Sequence, residues 1–347
     1  MMDRDADMLM EPVTTEASVY EESADQSDLE YAREVVGKLK DYFSAVVVGQ
    51  EELSRSLIGG VLADGHILIE SVPGLAKTTA ARTIADAVDG KFSRIQCTPD
   101  LLPGDIIGTR IYHQETGRFE TIFGPVFANF VLLDEVNRSS AKTQSAMLEA
   151  MQERQVTIGD TTYRMPEDIF IVIATQNPIE QEGTYPLSEA QTDRFMIKER
   201  ITYPAPVEEV EVLKRIESGA MRKRPPVLTI EDLRRVQAIT EGIYADDAIK
   251  WYISYIVDAT RHAGEIPGNE TGRYVRMGAS PRASIAFLRM SKAMALMNGR
   301  SFVTPDDVKS VRHQVLRHRI GLGYAAAADN VSVERVIDDI VAAIKTP

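Results

Sequence analysis

The chain has 347 residues, 44% of them hydrophobic and 26% charged, with a net charge of −13 and a single cysteine, Cys97. That length holds about two domains of ordinary size, each with a sizeable core. One cysteine excludes an intrachain disulfide framework and a multi-cysteine metal site, no apolar run approaches the roughly 20 residues that cross a bilayer, and an acidic chain without a basic stripe argues against nucleic acid as the main partner.

The charge is concentrated at the start. Residues 1–30 carry ten acidic side chains against Arg4, which is −9 and leaves −4 for the rest of the chain. Low hydrophobicity with high charge cannot offset the entropy of ordering, so residues 1–28 are expected to form a disordered acidic tail, with a docking peptide as the rival reading. No basic segment leads into an apolar one, and the expected location is cytoplasmic.

Helical spacing begins after Asp28 in "DLEYAREVVGKLKDYF", and "EELSRSLIGGVLADG" predicts a second helix ending at glycine. The apolar run "HILIE" reads as a buried strand. It leads into "SVPGLAKTTA", residues 71–80, and then a helix, "KTTAARTIADAVDG", closed by Gly90. Strand, tight loop and helix are the setting of a phosphate-binding loop of the pattern G-x-x-x-x-G-K-[ST], with Ser71 and Ala76 in the two glycine positions. In such a loop, backbone N–H groups and the helix N-terminus hold the anion. Lys77 then reaches the β- and γ-phosphates, and the Thr78 hydroxyl binds Mg²⁺. Gly74 permits close approach and Pro73 stiffens the turn. Ala76 is tolerable there with a negative φ, and Ser71 at the strand end needs no positive one.

A second apolar strand, "FVLLD", ends in the adjacent carboxylates Asp134 and Glu135. Beside a phosphate loop, Asp134 can hold Mg²⁺ while Glu135 orients and deprotonates the attacking water. A third strand, "DIFIVIATQNP", ends at Asn177, a neutral amide suited to the lytic water or the γ-phosphate. Between them lie a helix, "AKTQSAMLEAMQERQ", and a predicted hairpin, "VTIGDTTYRMP", turning at Gly159 and Asp160. The order predicts an α/β fold, a doubly wound parallel sheet with its ligand at the carboxyl ends of the strands. From residue 205 onward the patterns are helical, near 207–218, 229–243, 246–262, 281–298, 305–318 and 332–345, and predict an all-α lid. The five histidines are scattered and read as solvated or core residues.

Taken in order, "VVVGQEEL", "VPGLAKT", "LLDEVNR", "IATQNP", "EGTYPLSEAQTDRF" and "GASPRA" resemble the MoxR family of AAA+ ATPases over residues 45–290. Ala76 is common in that family, whereas Ser71 departs from its glycine and Ser188 from its usual proline. The resemblance implies an AAA+ core over 29–204 with a lid over 205–347. It implies a Mg²⁺-dependent ATP hydrolase assembled as a homo-oligomeric ring, typically a hexamer, that remodels a partner protein carrying a von Willebrand factor A domain. Nucleotide contacts are implied for Val48, Gly49, Pro73, Gly74, Leu75, Ala76, Lys77, Thr78 and Thr79. Arg194 of "TDRF" stands as the arginine finger entering the neighbour's site, and Arg282 of "SPRA" as the sensor arginine on the lid. The segment "RIYHQETGRFETIFG", a hairpin or helix insert, is expected to face the ring's centre together with the hairpin before Asn177. A nucleic-acid motor or restriction-type translocase is the rival class.

Overall fold

The structure, a computed structural model, describes residues 26–72, 74–166, 169–178, 184–218 and 224–347. The expected tail therefore lies outside the described residues up to position 25. Helix α1 (Gln26–Val46) starts two residues before the expected cap Asp28, which sits in its first turn. Helix α2 (Glu51–Leu62) leads into β1 (Ile67–Glu70), the phosphate-loop segment and α3 (Lys77–Ala87). There the left-handed turn is made by Asp89 (φ 50°), and Gly90 closes it with an N–H···O bond of 3.0 Å to Ala85. Gly90 is needed for a different reason: a Cβ there would stand 2.6 Å from the Phe130 ring.

Next come β2 (Phe92–Gln96), α4 (Pro103–Ile107), and the hairpin β3 (Gly108–His113) and β4 (Arg118–Phe123). Strand β5 (Phe130–Asp134) and α5 (Ala141–Glu153) precede a second hairpin, β6 (Gln155–Ile158) and β7 (Thr161–Arg164), then β8 (Ile171–Gln176), α6 (Glu189–Thr192) and β9 (Ile197–Arg200). Five strands form one parallel sheet in the order β2-β5-β8-β1-β9. Alternation along the strands splits the core. Ile67, Ile69, Leu132 and Ile173 face α1–α3, while Leu68, Leu133, Val172 and Ala174 face α5 and the second hairpin. Because β1 lies between β8 and β9, its neighbours run outward to either side. The phosphate loop thus leaves the sheet at the crevice where the connections reverse direction.

The C-terminal part holds α7 (Pro206–Glu217), α8 (Ile230–Glu241), α9 (Asp247–Arg261), β10 (Val275–Met277), α10 (Pro281–Met297), α11 (Pro305–Ser310), α12 (Arg312–Leu316), β11 (Gly321–Leu322), α13 (Tyr324–Ala328) and α14 (Val333–Ala343). It is helical, as expected, with one addition: β10 and β11 pair as a short antiparallel ribbon. The expected helix over 305–318 divides at Val311, whose φ of −108° and ψ of 4° leave the α region. Apolar faces of α8–α12 and α14 join the same core as α1–α3, and α1 is tied across by Tyr31 Oη donating to Asp232 at 2.6 Å.

Candidate nucleotide site

The chemistry gathers at the carboxyl edge of the sheet, where β1, β5 and β8 end side by side. Pro73 lies outside the described residues. Gly74 has φ of 87° and open space around it, and Ala76 caps α3 with φ of 52° and ψ of 21°. The negative φ on which the tolerance of Ala76 was conditioned is thus not what the loop adopts. The loop is in the left-handed region there and the methyl is held at a cost of about 1 kcal/mol relative to glycine. Ser71 takes no positive φ, and its N–H continues the ladder to Gln176 O at 3.2 Å. Leu75 is buried beneath the loop, while Thr79 is exposed one turn into the helix.

Lys77 opens α3 with its side chain buried, its Nζ 3.4 Å from Ser71 O. Thr78 Oγ1 lies 3.4 Å from Asp134 Oδ2, so the loop hydroxyl and the first carboxylate are brought together. Burial would raise the Asp134 carboxyl, but hydrogen bonds from Thr175 (2.7 Å) and Arg94 (2.6 Å), with the charges of Arg94 and Lys77, hold it below the ordinary range. Two hard oxygen donors beside one another fit Mg²⁺. The Arg94 guanidinium supplies the positive charge on Asp134 here.

Glu135 takes the left-handed conformation (φ 57°, ψ 51°), which turns its side chain away from the strand direction. Its carboxylate accepts from Gln96 Nε2 at 3.1 Å and Arg138 at 3.0 Å, and its N–H donates to Thr175 Oγ1 at 2.9 Å. Thr175 thus joins the two acids, donating to one and accepting from the other. Asn177 is buried at the end of β8 beside Asn137, which donates to its carbonyl at 3.4 Å. The Asn137 Oδ1 atom is buried without a partner among the described residues. Arg94 and Thr175 were not anticipated, since only the strand order β2-β5-β8 makes them neighbours of the acids; Asn137 follows Glu135 by two residues and was not singled out, and only the pairing of β5 with β8 brings it to Asn177.

Val48 and Gly49 precede α2. Gly60 packs on Ile67 and Ser56 bonds Glu199, the register partner of Ile69 on β9, so α2 runs antiparallel to β1 and its head reaches the loop's edge. A pocket of about 470 Å³ there is lined by Val48, Gly49, Arg55, Arg215, Met294 and Met297.

Arg194 and Arg282 stand elsewhere. Both line a cleft of about 270 Å³ with His66, Arg154, Arg289 and Arg319, at the amino edge of the sheet where β1 and β9 begin. The four residues of β1 separate that edge from the loop by about 13 Å. Arg282 donates to Gln152 at 3.3 Å and is not brought to the loop of its own chain.

A parallel five-stranded sheet of this order, with a phosphate loop after β1, paired acids after β5 and the β8 strand between them, is the arrangement of an AAA+ ATPase. Two family models match: the ATPase family associated with various cellular activities (AAA) over residues 66–197, and the AAA lid domain over 270–340. The chain is 48% identical over 306 residues to the chaperone MoxR1 of Mycobacterium tuberculosis, covering 87% of this chain and 80% of that one. It is 30% identical to the protein MoxR of Paracoccus denitrificans, over 88% of this chain and 94% of the relative. The crystal structure of a Cytophaga hutchinsonii protein, 45% identical, superposes with a TM-score of 0.86 over 93% of this chain and 98% of the other. The chain belongs to the MoxR family of AAA+ ATPases.

Proposed function

We propose that this chain is the subunit of a ring that hydrolyses ATP at junctions between copies and uses the cycle to remodel a partner protein. The separation of the site carries the reading: loop and acids occupy one edge of the sheet, and the arginines the opposite edge. An arginine facing the γ-phosphate from a neighbour is worth about 10³ to 10⁵ in rate, and the arginines on the loop's own edge, Arg94 and Arg138, are engaged with Asp134 and Glu135. Residues 29–204 form the motor and 205–347 the lid.

Main-chain N–H groups from Gly74 to Thr79 and the N-terminus of α3 cradle the phosphates, and Lys77 neutralises the β- and γ-oxygens. Thr78 and Asp134 hold Mg²⁺, which when bound offsets charge between the two phosphates. For that, Arg94 must release Asp134. Glu135 takes the proton of the attacking water and Asn177 orients it. Val48 and Gly49 border the base, and Arg194 and Arg282 act on the adjoining copy. Exposed Ile111, Tyr112, Phe119 and Phe123 on the first hairpin form the surface for the partner, a protein with a von Willebrand factor A domain by analogy within the family.

Mixing variant subunits tests the division of the site. Arg194→Ala and Glu135→Gln chains are each inactive alone, and together regain turnover at junctions that combine an intact acid with an intact arginine. No recovery on mixing would refute the shared site. Proteins trapped by the Glu135→Gln form with ATP identify the partner.

A further inference from the structure

Arg194 sits in the segment Asp193–Met196 that joins α6 to β9, and the lid grips this segment closely. Arg319, which follows α12, is 3% exposed. Its Nη2 donates to Asp193 O at 3.1 Å and to Phe195 O at 2.6 Å, and its Nη1 donates to Met196 O at 3.0 Å and to Val315 O. Its Nε donates to Asp193 Oδ1 at 2.7 Å. All three guanidinium nitrogens are therefore engaged, in a fixed fork that lysine cannot reproduce. His318 adds a bond to Phe195 O at 3.0 Å.

The second carboxylate oxygen of Asp193 reaches a different part of the lid. Oδ2 accepts from Ser280 Oγ at 2.7 Å, and that same hydroxyl accepts from the Arg282 N–H at 3.1 Å as the cap of α10. One carboxylate, immediately before Arg194, thus spans the residue that holds the Arg194 backbone and the residue that starts the Arg282 helix.

We propose that Asp193 and Arg319 are positioning residues that lock Arg194 and Arg282 into one rigid unit, so that both arginines are delivered together to the neighbouring subunit. This rests on the shared-site reading above. A displacement of about 1 Å in a catalytic group can cost 10²-fold in rate, so a clasp between the two arginines bears on turnover and leaves nucleotide binding, made at the other edge of the sheet, untouched.

The test uses the full chain and ATP. Asp193→Asn keeps the shape of the side chain, removes the charge that faces the buried Arg319 and replaces the acceptor facing Ser280 by a donor, so it weakens both arms of the clasp. We expect kcat to fall about tenfold or more with nucleotide Kd unchanged within about twofold. We expect partial recovery on mixing with Glu135→Gln chains, as for Arg194→Ala, and less than about a twofold further loss when Asp193→Asn is added to Arg194→Ala. A residue that only holds the fold together gives none of these: its defect stays with its own subunit and multiplies that of Arg194→Ala. Weakened nucleotide binding, absent recovery on mixing, or a full multiplicative loss would overturn the clasp. If Asp193→Asn does not fold, Ser280→Ala removes the bond to Asp193 together with the α10 cap, Ser280→Gly gives a control that lacks the hydroxyl but remains a fair cap residue, and both are held to the same criteria. Should Arg194→Ala itself fail to be rescued, the shared site falls, and the clasp with it; rescue of Arg194→Ala without rescue of Asp193→Asn rejects the clasp alone.

Discussion

Acid should weaken this protein well before its carboxylates titrate, because of one histidine under the arginine cleft. His66 precedes β1. Its Nδ1 accepts from the Val172 N–H at 3.1 Å, its Nε2 donates to Met151 O at 3.0 Å, and its ring meets Phe170 edge-on at 5.7 Å. Burial lowers its pKa from 6.5 to about 4, with the charges of Arg154 and Arg289 acting the same way against the opposing Met151 bond and Asp64. The unfolded chain takes up this proton below pH 6.5 and the folded chain only near pH 4. Stability is therefore unaffected above 6.5 and lost as pH falls through that window, by about 3 kcal/mol at about 1.4 kcal/mol per pH unit. His318 is depressed in the same direction, so the wild-type slope includes both rings. His66→Asn isolates one of them while leaving an acceptor for Val172. Urea denaturation followed by circular dichroism at steps from pH 7 to pH 4 should show the variant losing about 3 kcal/mol less than wild type. Equal slopes for the two proteins would refute the burial of a neutral imidazole here. Glu70 belongs to a lower window: burial raises its pKa, but Lys198 (2.6 Å), Gln176 and Arg200 bring it to about 2, so its contribution is lost only below pH 4.5.

Lys77→Ala should abolish ATP binding in a fluorescent-nucleotide titration, whereas Glu135→Gln should keep ATP bound and stop its hydrolysis; lost affinity in the latter contradicts its role toward water. Ala76→Gly should stabilise the nucleotide-free chain by about 0.5 kcal/mol, the relief of a left-handed alanine less the added flexibility of the unfolded chain, read from denaturation midpoints. Thr175→Val removes both hydrogen bonds between the acid pair and should lower kcat about tenfold, while Thr175→Ser retains most activity.

The carboxyl edge of the sheet was readable from the sequence because its chemistry demands particular residues at strand ends: Lys77 and Thr78 after β1, the acids after β5, Asn177 after β8. The lid helices were readable from their starts, since Thr229, Ser280-Pro281 and Thr304-Pro305 each stand at the observed N-terminus. What escaped depends on contacts distant in the chain. Arg94 and Thr175 meet Asp134 only through the order of strands 40 and 41 residues apart, and Asp193 and Arg319 meet across 126 residues. The left-handed Ala76 and Glu135 escaped because neither residue type advertises that conformation, which the surrounding fold imposes. The β10–β11 ribbon is too short to show alternation.

Placing acids on one rim of the sheet and guanidinium groups on the other also sets a dosage rule. In the ring proposed above a lone copy would hold half of each of two sites, so specific activity should climb steeply with protein concentration and collapse on dilution. A minority of damaged copies would then silence intact ones beside them, and the loss would exceed their share of the mixture.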